Sequence, residues 1–108
     1  MIVVVFRSRL RPENREDYAA EAAEIDPLAR ESPGLLSFKT FASPDGERVT
    51  IGEFEDEAAV DAWRNNPRHR EAQAKGRASF YEEYTIQVCE VVRTNHFVAL
   101  KKETALLT

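Results

Sequence analysis

The chain has one cysteine, Cys89, one tryptophan, four glycines and five prolines among 108 residues. A single thiol closes no internal disulfide and builds no multi-cysteine metal cluster, which suits a reducing compartment. With so little glycine and proline the sequence is neither a fibrous repeat nor a disordered tail. Long apolar runs are absent too. The opening residues 1–6 are apolar but meet Arg7 and Arg9 too soon for a signal-peptide core, and nothing elsewhere reaches bilayer-spanning length. A cytoplasmic protein is expected. Positive charge is not in excess, since 15 Lys and Arg against 19 Asp and Glu give a formal charge of -4. Neither nucleic acid nor an anionic membrane is therefore an expected partner. P-loop, GxGxxG, HExxH, CxxC and nucleophile-elbow motifs are all missing, so any chemistry rests on scattered residues.

What remains is 43% apolar and 31% charged, the balance of one small globular domain. A domain of this size leaves much of its surface exposed, and a second copy is a natural way to complete its core. Residues 2–10 are rich in branched and aromatic side chains and stop at Arg11-Pro12, as a strand does. From Glu13 the period changes: Tyr18, Ala22, Ile25 and Ala29 form an apolar helical stripe opposite Glu16, Asp17, Glu21 and Glu24. Pro27 is expected to kink or interrupt this helix, and Ser32-Pro33-Gly34 to end it. Residues 35–42 and 47–54 read as a hairpin around Ser43-Pro44-Asp45-Gly46. Asp56 caps a helix over 57–65 with Val60 and Trp63 on its buried face, and Asn66-Pro67 opens another along which His69, Ala72, Gly76 and Phe80 keep helical spacing. A breaker-free β-branched run over 84–92 supplies the last strand, with Cys89 expected to be packed and inert within it.

Strand, helix, two strands, helices and strand in that order give an α+β, ferredoxin-like split βαβ fold with an antiparallel sheet and its helices on one face. The first and last strands carry apolar residues on both parities, Val3 and Val5 against Ile2, Val4 and Phe6, as strands buried on both faces do. A homodimer covering the free sheet face is expected. The domain spans 1–97, and 98–108 is a C-terminal tail that forms a short helix, packs on the partner subunit or frays.

Trp63 precedes His69 by six residues across the Asn66-Pro67 break, so a Trp ending one helix and a His in the first turn of the next can converge. Ala72 and Gly76 are small enough to leave a pocket beside the imidazole, and the positive helix start disfavours an imidazolium there. Both rings can equally be core. The basic residues Arg64, Arg68, Arg70, Lys75 and Arg77 read as a solvated face balancing the acidic first helix, although the helix start with its free N–H groups also suits an anionic oxygen. Tyr81 and Tyr84 can donate to a ligand oxygen or serve as amphipathic packing. Arg7 can counter an anionic ligand or mark where the first strand leaves the core. No metal ligand set is evident.

With these elements the chain resembles the antibiotic biosynthesis monooxygenase family and its small haem-degrading relatives. The resemblance rests on the element order, Pro33-Gly34 before the hairpin, Glu53-Phe54-Glu55, Ala62-Trp63 with Pro67 and His69, and Phe80-Tyr81 with Tyr84 leading into Val88-Cys89-Glu90-Val91. It implies a dimeric α+β barrel with a ligand cleft between each sheet and its helices. It also implies oxidation of a small aromatic or quinol-like substrate by oxygen with no cofactor, Trp63 walling the pocket and His69 acting as base or donor. A haem-binding or haem-degrading protein is the alternative it allows, although Arg7 stands where that branch carries an Asn and Gln73 stands near its axial ligand position. A third possibility is a dimeric small-molecule-binding module without activity.

Overall fold

The computed structural model describes residues 1–100. Its elements run β1 (Ile2–Leu10), α1 (Arg15–Arg30), β2 (Leu35–Ala42), β3 (Arg48–Phe54), α2 (Glu57–Arg64), α3 (Pro67–Lys75) and β4 (Tyr81–Glu90), with a π-helical turn, Gly76–Phe80, between α3 and β4. The four strands form one antiparallel sheet in the order β2-β3-β1-β4. This is the expected ferredoxin-like α+β arrangement, with β1 and β3 at the centre of the sheet.

Register decides what each face carries, because directly opposed residues in an antiparallel pair point the same way. Ile2 and Val4 of β1 lie with Phe54, Phe38, Ala29, Ala59 and Trp63 in the hydrophobic core beneath the helices. Gly52, Val88 and Phe38 share the Val4 row, and Thr50, Ile86 and Thr40 share the Phe6 row, so all of these face the helices. The odd residues Val3, Val5 and Arg7 face the other way, beside Glu53, Ile51 and Val49 of β3 and Cys89, Gln87 and Thr85 of β4. No described helix covers that second face.

The local signals read from sequence are visible in the bonds. Asp56 Oδ1 accepts the Ala59 N–H at 2.9 Å, a side-chain cap on α2. At the hairpin, Asp45 Oδ1 accepts the Glu47 N–H at 3.0 Å and Gly46 adopts φ 93°, which L side chains rarely tolerate. These bonds and the Arg9 guanidinium hold the Asp45 carboxyl at about 2. Gly34, also at positive φ, brings the entry to β2 so near α2 that a Cβ there would stand 2.5 Å from that of Ala59.

Three expectations need correction. Pro27 does not interrupt α1, which continues through it to Arg30; near the helix end its missing N–H removes only one bond. The last strand starts at Tyr81 and ends at Glu90 instead of covering 84–92, because the π-helical turn ends the helix five residues after Lys75 and breaks the 3.6-residue spacing that linked His69 to Phe80. Cys89 is exposed, not packed, since it sits on an edge strand and points to the face without helices. Residues 91–100 form neither helix nor strand and expose Val92, Phe97, Val98 and Leu100. Most of the tail expected to pack on a partner, 98–108, lies outside the described residues.

Candidate functional site

Trp63 ends α2 and is 8% exposed, seated on Ile2, Phe54, Ala29 and Ala59. One break later Asn66 starts α3 by accepting the N–H groups of Arg68 at 3.0 Å and His69 at 3.2 Å on its Oδ1. The helix start is thus already capped, which leaves the anion site suggested by its free N–H groups without donors at these positions. The same turn carries His69 back over Trp63. Their rings stack with centroids 4.0 Å apart and planes inclined by 14°.

The imidazole is oriented as well as stacked. His69 Nδ1 lies 3.1 Å from the Trp63 carbonyl oxygen, and a carbonyl only accepts, so Nδ1 carries the proton and donates it. The 3.4 Å contact of Nδ1 with the Gln73 amide nitrogen sets two donors together and is no hydrogen bond in this tautomer. Nε2 then holds the lone pair of the neutral ring. It has no hydrogen-bond partner among the described residues, yet no buried side-chain nitrogen or oxygen there lacks one, so Nε2 opens to a surface. Burial pushes the His69 pKa below its ordinary 6.5, while the bond to the Trp63 carbonyl pulls the other way.

The other expected site residues divide. Tyr81 and Tyr84 lie on the helix side of the sheet, but toward its opposite end. There Phe6 meets Tyr81 and Tyr84 at centroid separations of 5.5 Å each, and Tyr18 of α1 meets Phe80 at 5.7 Å and Tyr81 at 6.0 Å. Two tyrosines three residues apart share this face because a register shift between Arg9 and Leu10 leaves one extra residue on β4, a bulge that returns Tyr81 to the Leu10 side. Gly76 does not leave room beside His69 as its spacing suggested. A Cβ on it would meet the Tyr81 ring at 2.7 Å, so the glycine is the seat of that ring.

Arg7 is not brought to Trp63 and His69. It lies on the opposite sheet face, bonded to both carboxylate oxygens of Glu47 at 2.9 and 3.2 Å, where a hollow of about 140 Å³ is lined by Arg7, Glu47, Glu83, Thr85 and Gln87. The basic residues near His69 balance α1: Arg68 grips Glu21 at 2.6 and 2.8 Å and Glu24 at 2.7 Å, and Lys75 approaches Glu21 at 3.4 Å. This pairing holds the Glu21 carboxyl below its usual range.

Sequence reading missed two arginines. Arg11 binds the carbonyls of Tyr81, Ala78 and Arg77 at 3.0, 3.0 and 3.1 Å through its guanidinium, and its own N–H binds that of Phe80 at 2.8 Å. It satisfies the carbonyls that a helix end leaves unpaired. Arg48 stands over the Tyr18 ring at 5.7 Å. Neither is marked by a local motif, because both act across more than 25 residues of chain.

The sequence profile described as antibiotic biosynthesis monooxygenase matches residues 1–75, and the chain belongs to that family. The uncharacterized protein YqjZ of Bacillus subtilis is 32% identical over 94 residues, 87% of this chain and 82% of YqjZ. The jasmonate monooxygenase ABM of Pyricularia oryzae is 29% identical over 101 residues, 88% of this chain but only 46% of that longer protein. Among solved structures, an antibiotic biosynthesis monooxygenase superposes with TM-score 0.76 at 21% identity, over 86% of this chain and all (100%) of the other. Rv0793 of Mycobacterium tuberculosis superposes with TM-score 0.77 at 21% identity, over 88% and 98%. At those identities the structures speak for the fold alone.

Proposed function

We propose that the chain is a cofactor-independent monooxygenase that oxidises a small aromatic or quinol-like substrate with molecular oxygen, His69 acting as general base and Trp63 as the aromatic wall of the site. The observation that carries this is the fixed tautomer of His69: a desolvated, neutral imidazole with Nδ1–H tied to the Trp63 carbonyl and Nε2 open. Such a group removes a proton near neutral pH. Transfer of a substrate proton to Nε2 leaves the substrate as an electron-rich carbanion or phenolate, which itself reduces oxygen. For an activated methylene, one oxygen atom becomes the carbonyl of the product and the other leaves as water, the four electrons coming from the substrate carbon. The family supports the monooxygenase class, and the Pyricularia relative carries that activity in its name.

Haem fits this arrangement poorly, since Arg7 is engaged by Glu47 on the far sheet face and Gln73 offers only an amide beside His69. Two copies meeting through the face without helices complete the protein in this proposal. Val3, Val5, Val49 and Ile51 form its apolar centre and Phe41, in the Val49 row, is 48% exposed. Sedimentation at micromolar concentration should give twice the chain mass. The decisive experiment is oxygen uptake with a panel of anthrones and quinols in metal-free buffer. Uptake matched by formation of a product that carries one atom of the consumed oxygen is expected, and its absence across the panel, in protein shown free of haem, defeats the proposal.

A further inference from the structure

The sheet carries a second set of polar groups on its helix side, at the end away from Trp63. Arg48 opens β3 and shares a row with Ser8 of β1 and Tyr84 of β4, all three facing the helices. Four arginines of the described chain are half-buried, namely Arg9, Arg11, Arg48 and Arg68. Arg9 is paired with Asp45, Arg11 with backbone carbonyls, and Arg68 with Glu21 and Glu24. Arg48 alone of these has no hydrogen-bonded or ionic partner among the described residues; its guanidinium is held only by the Tyr18 ring. Since no buried polar side-chain atom lacks a partner, its N–H groups reach a surface. A guanidinium placed over an aromatic ring with its fork of donors unused is a preformed seat for a planar anion.

The neighbours of Arg48 complete such a seat. Tyr81 is kept protonated by burial and by the adjoining Tyr18, with Arg48 the one nearby charge that works in the opposite direction. Its hydroxyl is therefore a donor and not a competing anion. Phe6, Tyr18 and Tyr84 supply aromatic faces and edges around it. Arg11 and Asn14 fix the carbonyls of the π-helical turn that delivers Tyr81, and Gly76 receives its ring. Six residue steps along β3 separate Arg48 from Phe54 beneath Trp63, about 20 Å of strand, so this is a site distinct from the Trp63 and His69 pair.

We infer that Arg48, with Tyr18 and Tyr81, forms a binding site for the carboxylate of a flat aromatic acid, whose ring lies against Phe6 and Tyr84. It requires the helix-side face to be open to ligand, as the proposed oxidation does, but it does not require that His69 be catalytic. The test is calorimetric titration with 2-naphthoate and with 2-naphthamide, which has the same rings and no charge. Unaltered protein should bind the acid at least about 10-fold more tightly than the amide, the scale of one charge-assisted hydrogen bond. Arg48→Gln should erase that preference, Arg48→Lys should restore part of it, and Tyr81→Phe, which keeps the ring, should weaken the acid several-fold while sparing the amide. Thermal melts of each variant report folding. Equal binding of acid and amide by the unaltered protein, no saturable binding of the acid, or a preference that survives in folded Arg48→Gln each overturn the site. A preference lost in His69→Ala but kept in Tyr81→Phe also overturns it, by moving the acid to the other end. Retained preference together with no oxygen uptake on any substrate defeats the oxidation proposal and leaves this one standing.

Discussion

The two ends of the helix-side face are built from similar side chains in opposite ways. At the Trp63 end the aromatic pair is made locally, six residues apart across one capped break, and Nδ1 of His69 is spent within that turn while its Nε2 and the indole N–H of Trp63 have no partner among the described residues. At the Tyr81 end, five aromatic rings come from β1, α1, the π-helical turn and β4, and they meet edge to face. One end therefore holds an oriented imidazole nitrogen in desolvated surroundings, which suits proton transfer. The other holds an arginine and phenols in a broad aromatic frame, which suits recognition.

Variants can separate the two ends. The largest effect is expected for His69→Ala, which should lower turnover on a true substrate by about 100-fold or more, as loss of a positioned base does. Its thermal midpoint should move far less, and unchanged turnover would break the contrast by making the Trp63 end structural. Trp63→Ala should cost about 3–5 kcal/mol of stability in denaturant titration, because a buried ring leaves a cavity among Ile2, Phe54 and Ala59. Trp63→Phe should cost less and report on binding.

At the other end Gly76→Ala should cost about 1–3 kcal/mol, since the added methyl overlaps the Tyr81 ring. Tyrosine fluorescence should change with it while the stacked Trp63 and His69 stay in place. The smallest effect is the acid dependence of stability. The folded pKa of His69 is depressed, so its contribution is present above the unfolded value of 6.5 and is lost as pH falls through the folded pKa. Denaturant midpoints of the unaltered protein should thus decline below pH 6.5 more steeply than those of His69→Gln. Parallel curves would show that the imidazole is not desolvated.

How much could be read from the sequence follows the same division. The Trp63 and His69 pair was legible because Asn66-Pro67 is a local stop and start whose geometry depends on its own residues. The order of elements was legible for a similar reason, most of them being bounded by their own breakers. The Tyr81 end was not. Helical spacing assigned Gly76 to the space beside His69, while the π-helical turn hands it to Tyr81. Its place after an apolar run put Arg7 among the candidate ligand residues, but only the pairing of β1 with β3 and β4 shows that it faces away. Arg48 stood unremarked at the start of a strand, its meaning set by Tyr18, 30 positions earlier.

The bulge on β4 changes what kind of mutation this protein tolerates. Substituting Glu82 alters an exposed side chain and little else, and deleting it would remove the bulge while leaving Tyr81 opposite Leu10 on the helix side, in simple alternation with Glu83 and Tyr84. Pairing with Leu10, more than chain length in this stretch, determines the side on which Tyr81 stands. A homologue that lacks the bulge residue would keep the sheet, the helices, the Trp63 pair and also Tyr81 on the helix-side face.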